Sequence, residues 1–552
     1  MPQPAGELMR RTGKKKTPLS RKDFYTIVNL AAMMGALIFR IPLGFMIGEK
    51  GLACFGTANE IFLVTAGTVS YGLMEAVAAQ VRYRIKRQQY QGAGKALRGA
   101  LLFGGGLGLA LCAVCVFGGG LLAEKAFHIP LAGMAVSLMA PSLFFFILTG
   151  VFRGYFQGNG SSMPAMHSQI LYVIFLFTGG LIGAGLWRGY GEKVSAFLQN
   201  PDCTGAYGAM GACIGLLTGS VLCFLHVLVL YIIFRHSQKH LADREVQMNQ
   251  ESGFRIFSML LGAGLLHSLY WFCYHALPLL DQYLIFTFAK ETGGLYSLWG
   301  AYYGKCLAVT GVASGGVVIS GIFPIRRIMA SLERGEGALA KERLGTLVHQ
   351  CAVFIIPAAV FIAVLAENIL ALLPGESGAQ AVPLLQLGSL GAVFSVFANV
   401  FMEILIRNRK LKFVIGIGAV SLVLHIGCAL ALVQGAKLGM VGIVVAEAVF
   451  FGAAAIMGFL LIGRIFQYTQ EWIRCFAFTA VAAAVSGFIA LVLNKVLFSL
   501  IGAGFSLLLC LAVGIVLYMV FLVVLRAFKS RELEEMAGGS VFSLLAELLH
   551  FN

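Results

Sequence analysis

The chain has 552 residues, 59% hydrophobic and 12% charged, with 41 Lys and Arg against 25 Asp and Glu, a net charge of +16 and a mean hydropathy of +0.85. A soluble globular domain averages about 45–50% apolar and about 25% charged residues, so a water-soluble enzyme, a secreted disulfide scaffold and a disordered polypeptide are excluded. The apolar excess falls in separate runs of about 20 residues or more, each long enough to cross a hydrocarbon core of about 30 Å; the fold class is therefore an all-α polytopic membrane protein.

A basic stretch, Arg10, Arg11, Lys14, Lys15, Lys16, Arg21 and Lys22, forms an N-terminal tail over 1–23. The apolar run that follows, 24–47, is too long for a removed signal peptide and has no small-residue cleavage site after it. Further spans are expected at 59–81, 97–122, 130–152, 164–187 and 206–234, completing a six-helix bundle over 24–234. A polar linker, 235–256, leads to a second bundle over 257–463, with spans at 257–288, 296–323, 347–373, 383–406, 412–434 and 438–463. Two appended spans, 474–494 and 500–525, bring the expected number to fourteen. The tail 526–552 ends in an amphipathic segment, Val541 to Phe551, expected to lie on the membrane surface.

Fourteen spans put both termini on one side. With alternate loops in the cytoplasm, 32 of the 41 Lys and Arg lie inside and only 7 outside (Lys50, Lys125, Arg188, Lys193, Lys290, Lys437, Lys495), as the positive-inside rule requires. The basic excess thus reads as topology and contact with anionic lipids, and nucleic acid is not an expected partner. The second cytoplasmic segments of the two halves are alike: RYRIKRQQYQGAGKALRG from Arg82 and RRIMASLERGEGALAKERLG from Arg326. Such an internal repeat is what a transporter built from two related halves shows.

Catalytic signatures are missing. The sequence has no P-loop and no H-E-x-x-H. Most of the 12 Cys lie in spans, with Cys54 and Cys203 in external loops, and the one C-x-x-C, Cys112 and Cys115, has no second pair and no nearby His; packing is preferred to metal or redox chemistry. Transport is the expected activity, with no catalytic residues and no resident cofactor.

Ionisable residues within spans are costly and mark candidate sites. They are Arg40, Glu75, Asp281, Lys305, Glu403 and Glu447. Arg40 and Lys305 stand in the first pair of spans of each half, and if the halves are related they face each other across a central cavity that suits an anionic substrate. The competing readings are an ion pair of Arg40 with Glu75, or its snorkelling to the outer surface, and a pair of Lys305 with Asp281 or Glu403. Glu75 and Glu403 precede Arg82 and Arg407 near cytoplasmic ends, where interfacial pairing is favoured. Asp281, Glu447 and Glu403 are candidates for coupling to H⁺ or Na⁺. His226, His267, His275 and His425 read as core imidazoles. Span seven carries Tyr270, Trp271 and Tyr274, which suit either a sugar-binding face or packing, and Pro278, which should bend the helix as a gate needs.

Two stretches, GVFRGYFQGNGSSMPAMHSQI (Gly150 to Ile170) and FRIPLGFMIGEKGLACFGTANEIF (Phe39 to Phe62), and more loosely LYSLWGAYYGKCLAVTG, resemble the stage V sporulation protein B group of polysaccharide-biosynthesis proteins in the multidrug/oligosaccharidyl-lipid/polysaccharide exporter superfamily. The resemblance implies two six-helix bundles plus two helices in the bacterial plasma membrane. It implies movement of an undecaprenyl-diphosphate-linked saccharide, such as lipid II, from the inner to the outer leaflet by alternating access. In the lipid II flippases cationic cavity residues hold the diphosphate; Arg40 is the matching position, and Lys305 matches by helix number alone. The appended helices would offer a groove for the lipid tail. The chain departs from the group at Leu171-Tyr172-Val173, where a Glu-Gln is expected. Membrane potential, H⁺ or Na⁺ would supply direction, and nothing in the sequence requires more than a monomer. Two other classes remain open: an organic-cation antiporter of the same superfamily, which should carry an acidic cavity, and a membrane-embedded glycan polymerase or glycosyltransferase, which needs carboxylates at an external mouth, where Glu49, Glu60 and Glu367 are scattered.

Overall fold

In hydrocarbon every backbone N–H and C=O must be satisfied within the chain, which leaves the helix as the structure available to single apolar runs. The computed structural model describes residues 21–242, 252–289, 294–373, 375, 377–536 and 539–548, and among these every regular element is helical. The basic residues before 21, Lys290 and residues 243–251 of the linker 235–256 lie outside the described residues.

Among the described residues, twelve helical segments are long and apolar enough to cross a membrane. Two of them reverse direction. Arg21–Phe62 turns at Gly48, whose φ of 70° and ψ of 179° are not helical. Arg40 and Glu60, twenty residues apart, therefore meet at 3.1 Å, where a straight helix would separate them by about 30 Å. Its arms are α1 and α2, and α2 continues through Thr68–Ile85. The second reversal is at Gly502 (φ 76°, ψ 171°) in the segment Ile473–Val524: the Asn368 amide donates to both Asn494 (2.9 Å) and Ser506 (2.7 Å), one on each arm. Twelve segments thus give the expected fourteen passes. The other passes are α3 (Tyr90–Leu121), α4 (Gly133–Gly158), α5 (Met163–Leu198), α6 (Asp202–Ala242), α7a and α7b (Gly253–His275 and Leu277–Phe288), α8 (Leu295–Glu333), α9 (Gly337–Val364), α10 (Gly378–Arg407), α11 (Leu411–Gly435), α12 (Gly439–Phe466), and α13 and α14, the arms around Gly502.

The break in α7 falls at Ala276, two residues before Pro278. A proline has no N–H to give the preceding turn, and its ring crowds the carbonyl there, so the bend expected from the sequence is a one-residue break at which Ala276 keeps helical dihedrals.

Within the first half α5 packs on α6, α3 on α4, and α4 on both α6 and α2. Small residues set these distances: a Cβ added at Gly183 of α5 would stand 2.3 Å from the Gly211 carbonyl of α6. Arg153, counted above with a cytoplasmic loop, is buried inside α4 and donates to Ser168 (2.7 Å) and Gln169 (2.8 Å) of α5. The arginine of the RGYFQG stretch therefore ties one helical hairpin together. In the second half α10 packs on α12, α8 on α9 and α11 on α12. The halves meet where the α1–α2 hairpin lies on α8 and where α2 lies on α7a; α13 and α14 lean on α9. Cys54 and Cys203, expected in loops, are buried in helices.

The tail forms α15 (Ser530–Glu535) and α16 (Gly539–Leu548). It is docked onto the protein as well as amphipathic. Glu532 lies 3.3 Å from His349 of α9 and 3.4 Å from Arg474, Glu535 pairs with Arg343 at 3.4 Å, and Phe542 packs on Phe528 with ring centroids 4.7 Å apart. Partial burial works to raise the Glu532 carboxyl, but hydrogen bonds from His349 and the Lys529 N–H, with the charge of Arg474, outweigh it and hold it below the usual carboxylate range.

Two outcomes follow. Gly48→Ala and Gly502→Ala each place a Cβ in backbone space essentially reserved for glycine, and each should lower stability by about 1–3 kcal/mol, read as a fall in the thermal unfolding midpoint in detergent. Because the folded Glu532 is depressed, its contribution is present above the ordinary carboxylate pKa and is lost as pH falls through the folded value. Limited proteolysis should release the tail at acid pH, and Glu532→Gln should release it at neutral pH.

Candidate substrate cavity and its charged closures

Between the halves lies a cavity of about 310 Å³. Met33, Met34 and Leu37 of α1 form one wall; Tyr270, Tyr274 and His275 of α7a, Tyr302 and Ser314 of α8, Asn399 of α10 and Glu447 of α12 form the others. An apolar, aromatic surface with a few converging polar groups is the usual make-up of a small-molecule site.

Arg40 and Lys305 do not line this cavity. Each sits toward the Gly48 end of it, buried and bound to a glutamate. The Arg40 guanidinium donates to Glu60 Oε1 (3.1 Å) and to the Tyr303 carbonyl (3.1 Å), and lies 3.8 Å from the Tyr303 ring centroid. The Tyr303 hydroxyl donates to the same Glu60 oxygen at 2.9 Å, and Asn59 donates to that hydroxyl at 2.9 Å. Lys305 Nζ lies 2.6 Å from Glu49 Oε1, and Glu49 Oε2 accepts from the Ser377 N–H at 3.1 Å. The partners are thus Glu60 and Glu49, in place of the Glu75, Asp281 and Glu403 considered from the sequence. The reversal at Gly48 supplies the reason, since it carries both glutamates back beside α1 and against α8.

These contacts close one end of the cavity across the two halves. The other end is closed by Asp23 at the start of α1, 2.8 Å from Arg407 of α10 and 3.3 Å from Arg326 of α8. Glu403 joins this second closure, 2.7 Å from Arg407, the interfacial pairing expected of it. Glu75 lies on α2 within electrostatic reach of Tyr25 and Tyr71, away from the cavity lining.

The aromatic residues of α7a divide between two faces. Tyr274 lines the cavity and donates to the Val414 carbonyl at 3.2 Å. Trp271 turns to α2, packed on Tyr71 at 5.0 Å and stacked on His275 at 3.8 Å. Asp281 on α7b is buried with its carboxylate 2.8 Å from His425 of α11. Glu447, on the cavity wall, accepts a hydrogen bond from the Tyr302 hydroxyl.

Sequence reasoning missed the importance of Tyr302 and Tyr303. They open a π-turn, Tyr302–Cys306, that interrupts α8; such turns are frequent at functional sites. The extra residue in that turn lets Tyr302 reach Glu447 on α12 while Tyr303 and Lys305 reach Glu60 and Glu49 on α2. Two adjacent tyrosines just before an intramembrane lysine were the available signal.

No protein-family model matches the chain. Stage V sporulation protein B of Bacillus subtilis (strain 168) is 20% identical over 251 residues, 46% of this chain and 45% of that protein, so the match spans about half the length of that relative. Among solved structures, the lipid II flippase MurJ in an inward closed conformation is similar over 91% of this chain and 98% of its own, with a TM-score of 0.62 and 14% identity. An inward-facing multidrug resistance MATE family transporter of the MOP superfamily is similar over 83% of this chain and 98% of its own, with a TM-score of 0.58 and 16% identity. The eukaryotic MATE transporter AtDTX14 matches 82% of this chain and 96% of its own, with a TM-score of 0.56 and 18% identity. The chain has the fold of the MOP transporters, which the sequence motifs pointed to, and is a multi-pass membrane protein.

Removing one partner of a buried ion pair costs more than removing both, because the charge left behind has no compensation. Lys305→Met should therefore destabilise the protein by about 3–5 kcal/mol, and Lys305→Met combined with Glu49→Gln should recover most of that loss in thermal unfolding.

Proposed function

We propose that the chain is a flippase that carries an undecaprenyl-diphosphate-linked saccharide, lipid II or a related cell-wall or surface-polysaccharide precursor, from the inner to the outer leaflet of the bacterial plasma membrane by alternating access, with both termini cytoplasmic. The observation that carries this reading is a second compartment. An apolar groove of about 620 Å³ runs between α9 and α14, walled by Phe354, Pro357, Phe361 and Leu511 and ended by Val541 and Phe542 of the docked tail. Val309 of α8 lines the groove while Leu307 and Thr310 line the central cavity, so the two compartments lie on opposite faces of one helix. A cavity with a few converging polar groups beside an apolar groove suits an amphiphile whose head passes inside while its tail stays in hydrocarbon. The extent of the MurJ likeness, 91% of the chain against 83% for the MATE transporter, supports the same reading.

An unpaired polar group in hydrocarbon costs several kcal/mol, and a diphosphate far more, so the head needs a cleft. In the closed form Arg40 and Lys305 are neutralised by Glu60 and Glu49. Separation of the halves at the Gly48 end breaks the Lys305–Glu49 contact and the Arg40–Tyr303 contact; the freed Lys305, and Arg40 with Glu60 still beside it, then meet the diphosphate. Tyr274, with Trp271 behind it, faces the saccharide. An inside-negative potential contributes roughly 2.3 kcal/mol per charge per 100 mV, which favours moving an anion outward.

One observation favours a second reading. The carboxylate on the cavity wall is Glu447, and an acidic cavity suits an organic cation exported by an antiporter. The polymerase or glycosyltransferase reading loses its support, because Glu49 and Glu60 are engaged by Lys305 and Arg40.

Native mass spectrometry of the wild type with lipid II and tetraphenylphosphonium in competition separates the readings. We expect lipid II to be retained, and retention to fall at least about tenfold, equivalent to 1.4 kcal/mol, in Arg40→Ala and in Ala358→Phe, which fills the apolar groove. Preference for the cation, unaffected by Ala358→Phe, would establish the antiporter reading instead.

A further inference from the structure

The apolar groove is not bounded by membrane-spanning helices alone. It follows α9 from Val353 to Ile362, about 14 Å, and continues past Leu365 to Ile369. Facing that wall are Leu507, Leu511, Ile515 and Met519, every fourth residue of α14 and so one face of it. Tyr518 brings a hydroxyl, which donates to the Val353 carbonyl at 2.8 Å. One end is made by Val541 and Phe542 of α16, a segment that lies outside the spans.

The tail that carries these two residues lies at the Asp23 end of the molecule. Arg343, which pairs with Glu535 at 3.4 Å, also donates to the Arg327 carbonyl at 3.3 Å, next to Arg326 of the Asp23 closure. Glu532 lies 3.3 Å from His349 and 3.4 Å from Arg474, and Lys529 pairs with Glu471. Each of these acids and its Lys or Arg partner keeps 14% to 54% of its side chain exposed, and exposed pairs hold weakly. The apolar hold is short as well. Met536 and Phe542 are buried, but Val541 and Leu544 are exposed.

An occupant of the groove has more to gain. In hydrocarbon the gain comes from van der Waals contact, which accumulates atom by atom. A chain lying from Ile369 to the tail meets the whole wall, whereas the tail offers the groove two side chains at one end. In the transport reading the Asp23 end is the cytoplasmic one, where the head of the substrate is loaded. The part of the chain nearest the head then needs the space that Val541 and Phe542 fill.

With the groove read as the seat of the substrate's tail, we propose that α15 and α16 are a displaceable plug: the docked tail and a long isoprenoid chain compete for one end of the groove, and loading of the chain releases the tail. The empty groove is thereby closed at its loading end, and a chain too short to reach from Ile369 to Phe542 leaves the plug in place.

Hydrogen–deuterium exchange of the full-length protein in lipid nanodiscs reads the tail without any variant. Undecaprenyl phosphate, which has the long chain and no saccharide, should speed exchange in α15 and α16 about tenfold. Geranyl phosphate has the same head, which by itself would compete for Arg343 and Arg474, and a chain too short for the groove; it should leave the exchange unchanged. Coupling between two ligands of one site is reciprocal, so Glu532→Gln with Glu535→Gln, which loosens the tail, should bind undecaprenyl phosphate about tenfold more tightly in native mass spectrometry. In Ala358→Phe the tail should no longer respond to the long chain. Tail exchange that ignores bound undecaprenyl phosphate overturns the plug, as does equal release by the two phosphates or a response that persists in Ala358→Phe. Weaker binding to the double variant overturns it too, because the tail would then be part of the wall that holds the chain. Absence of binding in both wild type and double variant does the same. Release of the tail by undecaprenyl phosphate in a protein that prefers tetraphenylphosphonium to lipid II leaves the plug standing and removes the saccharide reading.

Discussion

A charge carried into hydrocarbon must meet its opposite there, and the architecture of this protein follows from how few opposites are available. Arg40 and Lys305 are buried, and each finds a glutamate only because the chain reverses at Gly48 and lays Glu49 and Glu60 against α8. The Lys305–Glu49 pair and the bond from Arg40 to the Tyr303 carbonyl hold the halves together at one end of the cavity. Asp23, with Arg326 and Arg407, does the same at the other. An ion pair between halves is stable while they touch and costly to expose singly, so each closure resists separation of the halves.

One turn of one helix organises the middle of this arrangement. The π-turn at Tyr302–Cys306 points three side chains at three carboxylates: Glu447 on α12, Glu60 on α2 and Glu49 in the hairpin. The same helix carries Val309 on the apolar groove and Thr310 on the cavity. Cavity, groove, closure and buried acid cluster therefore share α8, and a displacement of that helix reaches all four at once. The interruption of α7 at Ala276 adds a second movable part, since α7a is packed on the first half through α2 while α7b carries Asp281 to the second half.

The docked tail gives the groove its end. Phe542 is buried against Phe528, and Glu532 and Glu535 are held by basic residues at the ends of α9 and α13. Amphipathic character in the sequence marked this segment for an interface, and Phe542 of its apolar face packs on the protein while Val541 and Leu544 stay exposed.

Hydrophobicity is additive along the chain and needs no knowledge of neighbours, so fourteen passes, their basic loops, the two appended helices and the bend at Pro278 were all legible in the residues themselves. The RGYFQG stretch marked the fold for a similar reason, because Arg153 and its partners Ser168 and Gln169 lie within one hairpin. The sequence by itself also named Arg40, Lys305, Asp281 and Glu447 as charges that need a partner within the spans, since each is costly to leave alone there. Tertiary structure alone decided their partners. Lys305 and Glu49 are 256 residues apart, and Arg40 reaches the Tyr303 carbonyl across 263; Coulomb attraction acts through space and carries no trace of sequence distance. That is why two cations expected on a cavity wall are its closure, and why the cluster of Asp281, His425, Glu447 and Tyr302, drawn from four separate helices, exists only once the second half has folded.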